Sequence, residues 1–153
     1  MAVNPIPARD TSKYSGQYAR VFDSQRMVDI FTDCQRIALS SKNPDTARDR
    51  FALAVEAYHQ IMSMSVPGDL RSSIHEAMVT LAGRFPAQLA VNEALGLREK
   101  ACKLKTASKQ LVLLHRACDV LQRAANGDPT NAALQSAAAE VRDEMARMEA
   151  AKK

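Results

Sequence analysis

The stretch Asn43–Met64, NPDTARDRFALAVEAYHQIMSM, constrains the fold more than any other part of the chain. Ala47, Phe51, Ala54, Val55, Tyr58, Ile61 and Met62 recur at steps of three and four, the spacing of one face of an α-helix. Asp45, Arg48, Asp49, Glu56, His59 and Gln60 fall on the other face and are expected in solvent. A helix with one apolar stripe must bury it against other elements, so the rest of the chain should supply its packing partners.

Prolines and glycines divide that remainder. Residues 1–22 are expected to form a flexible arm: Pro5 and Pro7 favour extended backbone, and Thr11, Ser12, Ser15 and Gly16 show no helical period. Tyr14, Tyr18 and Phe22, spaced by four, offer the alternative of an arm that docks as a short helix. A single helical domain is expected over 23–153. Its first helix starts at Asp23 or Ser24, faces the core with Met27, Ile30, Phe31, Cys34 and Ala38, and stops before Pro44, because the residue preceding a proline avoids the α region. Asn43 and Pro44 supply the cap and first turn of the second helix, which Pro67-Gly68 ends.

A third helix carries Leu70, Ile74, Ala77, Met78 and Leu81, with Gly83 expected as a left-handed C′ residue and Phe85-Pro86 as a turn. Between Pro86 and Asn126 the choice is one long helix or two separated near Leu95-Gly96-Leu97. Phase favours a break: Leu104, Ala107, Leu111, Leu114, Cys118 and Leu121 share a face that, extended backwards, meets Lys100 and Lys103. Asp128-Pro129 is expected to open the last helix, where Leu134, Ala138, Val141, Met145 and Met148 follow the four-three spacing of a coiled-coil seam. The expected fold is all-α, an antiparallel bundle or helical-hairpin array of five to six helices. Aromatic residues make up only 5% of the chain and Trp is absent, which suits helices packed through Leu, Ala, Val, Ile and Met.

Three cysteines, Cys34, Cys102 and Cys118, give an odd count without a close pair, so a reducing, cytoplasmic setting is expected rather than a disulfide framework. The N-terminal MAVNPIPARD lacks the apolar core of a signal peptide. No run approaches the ~18 apolar residues of a membrane span, so no membrane association is expected.

Chemistry is sparsely signposted. No glycine pattern for phosphate binding occurs. His115 and Cys118 lie three apart on one helical face, but a zinc site needs about four ligands, and Cys34, Cys102, His59 and His75 would have to come from separate helices. No metal, no cofactor and no catalytic residue is therefore assigned. The distinctive charge feature is Arg98–Arg116, where Arg98, Lys100, Lys103, Lys105, Lys109 and Arg116 face a single acid, Glu99, giving +5 in a chain of net charge +4. On a helical wheel Arg98, Lys105, Lys109 and Arg116 share one stripe opposite Leu104, Leu111 and Cys118. Such a stripe suits an acidic protein partner or a phosphate backbone. A solvated face is the plain alternative. No aromatic residue within the segment is available to stack on bases. Candidate partner-binding residues are thus Arg98, Lys105, Lys109 and Arg116, together with Leu134, Val141, Met145 and Met148, a short, Ala-rich seam expected to pack within the domain, with self-association as its alternative. The expected function is a non-catalytic protein–protein interaction module, an adaptor or small regulatory protein, with nucleic-acid binding through the stripe as the alternative.

Two places, Ala47-x3-Phe51-x2-Ala54 and Ala117-x3-Leu121-x2-Ala124-x4-Pro129, resemble the second helix of a tetratricopeptide repeat and lie 70 residues apart, close to two such repeats. The resemblance covers two helices and implies a peptide-binding scaffold.

Overall fold

The computed structural model describes residues 5–8 and 24–152. Most of the arm expected over 1–22, with Tyr14, Tyr18 and Phe22, lies outside the described residues. Among those described there are five helices and no strand: α1 (Ser24–Ser40), α2 (Pro44–Ser63), α3 (Gly68–Cys102), α4 (Ala107–Gly127) and α5 (Ala132–Lys152). The all-α expectation holds. The chain divides into two compact units, one drawn from Met1–Ser41 and Asp45–Phe85, the other from Lys42–Pro44 and Pro86–Lys153.

In the first unit, Met27, Phe31, Cys34 and Ala38 form the buried stripe of α1. Arg50 of α2 lies beside Cys34, so the short connection at Ser41–Asn43 folds the two helices back on each other. Along α2 and the first half of α3, Phe51 stacks on Phe85 with ring centroids 4.2 Å apart, and Tyr58 Oη meets His75 Nδ1 at 2.8 Å. As residue number rises on one helix it falls on the other, so this pair is antiparallel.

The centre of α2 departs from its sequence pattern. Leu53, Ala54, Val55, Glu56, Ala57 and Tyr58 are all buried, so this part of the helix has no solvent face. Glu56, expected in water, is fully buried and accepts a hydrogen bond from Gln60 Nε2 at 3.2 Å. A helix enclosed on every side is a central element, and enclosure takes in a carboxylate that wheel geometry alone places outside.

The third helix also differs from expectation. It runs unbroken through Gly83, Phe85-Pro86 and Gly96. Gly83 has no left-handed conformation and open space around its Cβ position, so it does not act as a C′ residue. Pro86 removes one backbone donor and crowds the preceding turn, at a cost of ~3 kcal/mol in a helix interior. Burial offsets this on both sides: Met78, Leu81, Ala82 and Phe85 precede it, and Ala90, Ala94 and Leu97 follow. Gly96 has a packing role instead of a breaking one. A Cβ there would come within 3.3 Å of the Lys42 carbonyl oxygen and 3.4 Å of Lys42 Cβ.

The break between Pro86 and Asn126 lies at Lys103–Thr106. Lys103 and Leu104 donate backbone hydrogen bonds to the Lys100 and Ala101 carbonyls, closing the end of α3 in tight i→i−3 turns. Thr106 is extended, with φ −109° and ψ 137°, and α4 starts after it. The change of apolar register near residue 100 marked this break correctly. The glycine four residues earlier did not.

The second unit has a core of Ala90, Ala94, Leu97, Ala101, Leu114, Ala117, Leu121, Leu134, Ala138 and Val141. Cys118 of α4 contacts Met145 of α5, on either side of a four-residue connection, so these helices are antiparallel. Arg98 meets Glu140 and Glu144, and Cys102 meets Glu144, so the end of α3 runs in the same sense as α5. The last helix starts later than Asp128-Pro129. The Asn131 side chain accepts from the backbone N–H groups of Ala133 and Leu134 at 3.0 and 3.2 Å, while Asp128 accepts from Asn131 Nδ2. A side-chain oxygen that reaches free N–H groups outcompetes a proline as the start signal here.

Candidate partner-binding face

The basic residues between 98 and 116 do not form one helical stripe. Because α3 ends at Cys102 and α4 begins at Ala107, Arg98 belongs to a different helix from Lys109 and Arg116, and Lys105 lies in the connection. Arg98 is turned to internal use: its side chain is bonded to Glu144 and, at 3.1 Å, to Glu140, tying α3 to α5. Those carboxylates hold its guanidinium further in the charged form, with the Glu144 hydrogen bond as the main cause. Glu99 is paired with Lys42, which keeps its carboxyl below the ordinary value. Lys100, Lys105, Lys109 and Arg116 are exposed and make no ion pair among the described residues.

The C-terminal seam sits inside the second unit. Leu134 is fully buried and Val141 nearly so, both in the core with Leu114, Ala117 and Leu121, while Met145 and Met148 are half-buried against it. The four-three spacing is satisfied within the chain.

One surface residue escaped the sequence reading. Val112 on α4 is 65% exposed, the more exposed of two large hydrophobic residues on the described surface, the other being Leu95 at 38%. It lies three residues after Lys109 and four before Arg116, so all three share the outer face of α4. Continuing the spacing brings in Asp119 and Arg123, also exposed, opposite the fully buried Leu114 and Leu121. The signal lies in the spacing, on the face opposite the apolar stripe and between two basic residues. The second unit carries the chain's entire net charge, with twelve basic and eight acidic residues, whereas the first has nine of each.

In the first unit an open groove of about 340 Å³ is lined by Met62, Arg71, Ser72, His75 and Glu76. Arg71 is already engaged there by Met62 Sδ and the Met64 carbonyl. Among the described residues no group of three or more His, Cys, Asp or Glu side chains could hold a metal ion. His115 is exposed, and Cys118 turns to Met145 instead of sharing a ligand site with it. Burial pushes the thiols of Cys34 and Cys118 above their ordinary range, as expected for small apolar fillers. Cys102 is exposed. No helix among the described residues is long and apolar enough to cross a membrane.

Comparison with known protein families, with curated proteins and with solved structures gives no match, for the tetratricopeptide-like segments or for any other part of the chain.

Proposed function

We propose that this chain is a non-catalytic helical module that acts by binding another protein. The observation that supports this most is the outer face of α4, where cations that make no ion pair among the described residues flank an exposed valine in the unit that holds all of the net charge. Such a face has the elements of recognition. Charge steers and orients an oppositely charged partner, and a small apolar contact gives area that can be dried. Among the described residues the groups with shifted ionisation, Cys34, Arg98, Glu99 and Cys118, owe their shifts mainly to burial or to ion pairs within the chain. An adaptor or small regulatory role in the cytoplasm fits this reading.

Nucleic-acid binding is the second reading, supported by the exposed Lys105, Lys109 and Arg116, which make no ion pair among the described residues. Binding of the full chain to mixed DNA and RNA at two salt concentrations separates the two. Phosphate contacts each contribute a slope of about −0.9 in log affinity against log salt, and Lys105→Glu with Lys109→Glu should abolish such binding. The protein-binding reading expects instead a protein that co-purifies in fixed ratio and survives nuclease treatment. Nuclease-sensitive co-purification together with steep salt dependence would overturn it.

A further inference from the structure

We propose, on the strength of the interaction role above, that the outer face of α4 docks an acidic amphipathic helix of a partner protein, with Val112 as the apolar contact between Lys109 and Arg116. Lys109, Val112, Arg116, Asp119 and Arg123 succeed one another at steps of three, four, three and four. That repeat keeps a row of side chains aligned over ~21 Å of helix at the usual rise, and it is the interval a second helix alongside reads. Every residue of the row is exposed, and the opposite side of the same helix, Leu114 and Leu121, is fully buried. Among the described residues, therefore, one face of α4 is covered and this one is open.

Charge selects the occupant. The row has three cations and one carboxylate, and neither Lys109, Arg116 nor Arg123 makes an ion pair among the described residues. Nearby charges in the same unit are matched: Arg98 with Glu140 and Glu144, Lys42 with Glu99. A partner helix with carboxylates at seven-residue intervals would place each against a cation, and a Leu or Ala between them would cover Val112. A second copy of the chain laid face to face would set cation against cation, which disfavours self-association here. An isolated exposed valine is ordinary on a protein surface. Between Lys109 and Arg116, in register with both, it gives an acidic helix a reason to bind that a phosphate backbone lacks.

The test uses the full chain and three labelled probes, read by fluorescence anisotropy at low and high salt. One is a three-heptad helical peptide with Glu set opposite Lys109, Arg116 and Arg123 and Leu set opposite Val112. The second is the same composition scrambled so that the Glu residues circle the helix, and the third is a short DNA duplex. The patterned peptide is expected to bind at least tenfold tighter than the scrambled one and to weaken as salt rises. Val112→Asp should weaken it about tenfold, and Lys109→Glu with Arg116→Glu should abolish it. A peptide with Lys in place of Glu should restore binding to that double variant. All of these positions are exposed, and unchanged thermal unfolding of each variant excludes loss of the fold as the cause. Equal binding of both peptides, no binding of the patterned peptide, indifference to the substitutions, or tighter binding of the duplex with the same substitution pattern would each overturn the proposal. A cellular partner that stays bound to Lys109→Glu with Arg116→Glu would remove this face while leaving the interaction role intact.

Discussion

The two units solve the same packing problem with different side chains. All seven aromatic residues belong to the first unit, and none occurs from Pro86 to Lys153. Phe31, Phe85 and Tyr58 are buried there, Phe51 stacks on Phe85, and α2 is enclosed together with a carboxylate. Ala and Leu dominate the second unit's core, with Ala101 and Ala117 fully buried between larger neighbours. Large rings fill wide gaps between helices, whereas alanines let helices approach closely. The first unit should therefore suffer most from lost volume and the second from added volume. Charge differs as well: the first unit is neutral overall and encloses the Glu56 carboxyl group, while the second is basic and exposes Lys100, Lys105, Lys109 and Arg116.

Substitutions can break this contrast. Phe31→Ala, at a side chain 1% exposed, should lower the free energy of unfolding in urea by about 3–5 kcal/mol, the usual range for a buried Phe. A loss below ~1 kcal/mol would mean the ring is not a core support. Glu56→Ala should cost about 1–3 kcal/mol by taking the acceptor from the half-buried Gln60 amide and emptying space that a fully buried side chain fills. A solvent-facing Glu would cost almost nothing, so this measurement separates enclosure of α2 from the simple wheel. In the second unit, Ala117→Leu, at a fully buried position, should cost about 1–3 kcal/mol through overpacking. A neutral result would show that α4 is less closely packed than its alanines suggest.

Glycine substitutions within α3 sharpen the comparison at smaller scale. Gly83→Ala enters open space and should stabilise by about 0.5–1 kcal/mol, the helix-interior difference between the two residues. Gly96→Ala meets the Lys42 backbone at 3.3 Å, so the same gain should be largely cancelled. Equal gains in thermal unfolding would show that Lys42 yields freely.

The smallest effect is a pH dependence in the first unit. Burial, opposed by Arg50, raises the Cys34 thiol above its ordinary value. The folded protein then keeps a proton that the unfolded chain releases, so this contribution is present below the unfolded pKa and is lost as pH rises through the folded one. Wild type should lose more stability than Cys34→Ala between about pH 8 and 10, where free thiols ionise. Parallel curves would refute it.

Much of this architecture was legible in local pattern. The stripe of α1, the antiparallel connections and the seam of α5 all follow from apolar spacing and short loops, because a helix with one greasy face has few ways to bury it. The same reasoning failed at Gly83, Pro86 and Gly96. As local signals each is punctuation, yet packing before and after Pro86 outweighs its local cost, and Gly96 answers to a backbone distant in sequence. The candidate face was half legible. Spacing points to Lys109 and Arg116, while a helical wheel groups Arg98 with them only because it assumes an unbroken helix.

By itself, then, the sequence determined that this protein is all-helical, which side of most helices turns inward, and that positive charge gathers around residues 98–116. Those are consequences of side-chain period and composition, which act over a few turns. Tertiary structure decided where the helices stop, that Glu56 is enclosed, that Arg98 serves the fold, and that Val112 stands in the open between two cations. These depend on which surfaces meet, and the energy of that meeting exceeds the propensity of any single glycine or proline.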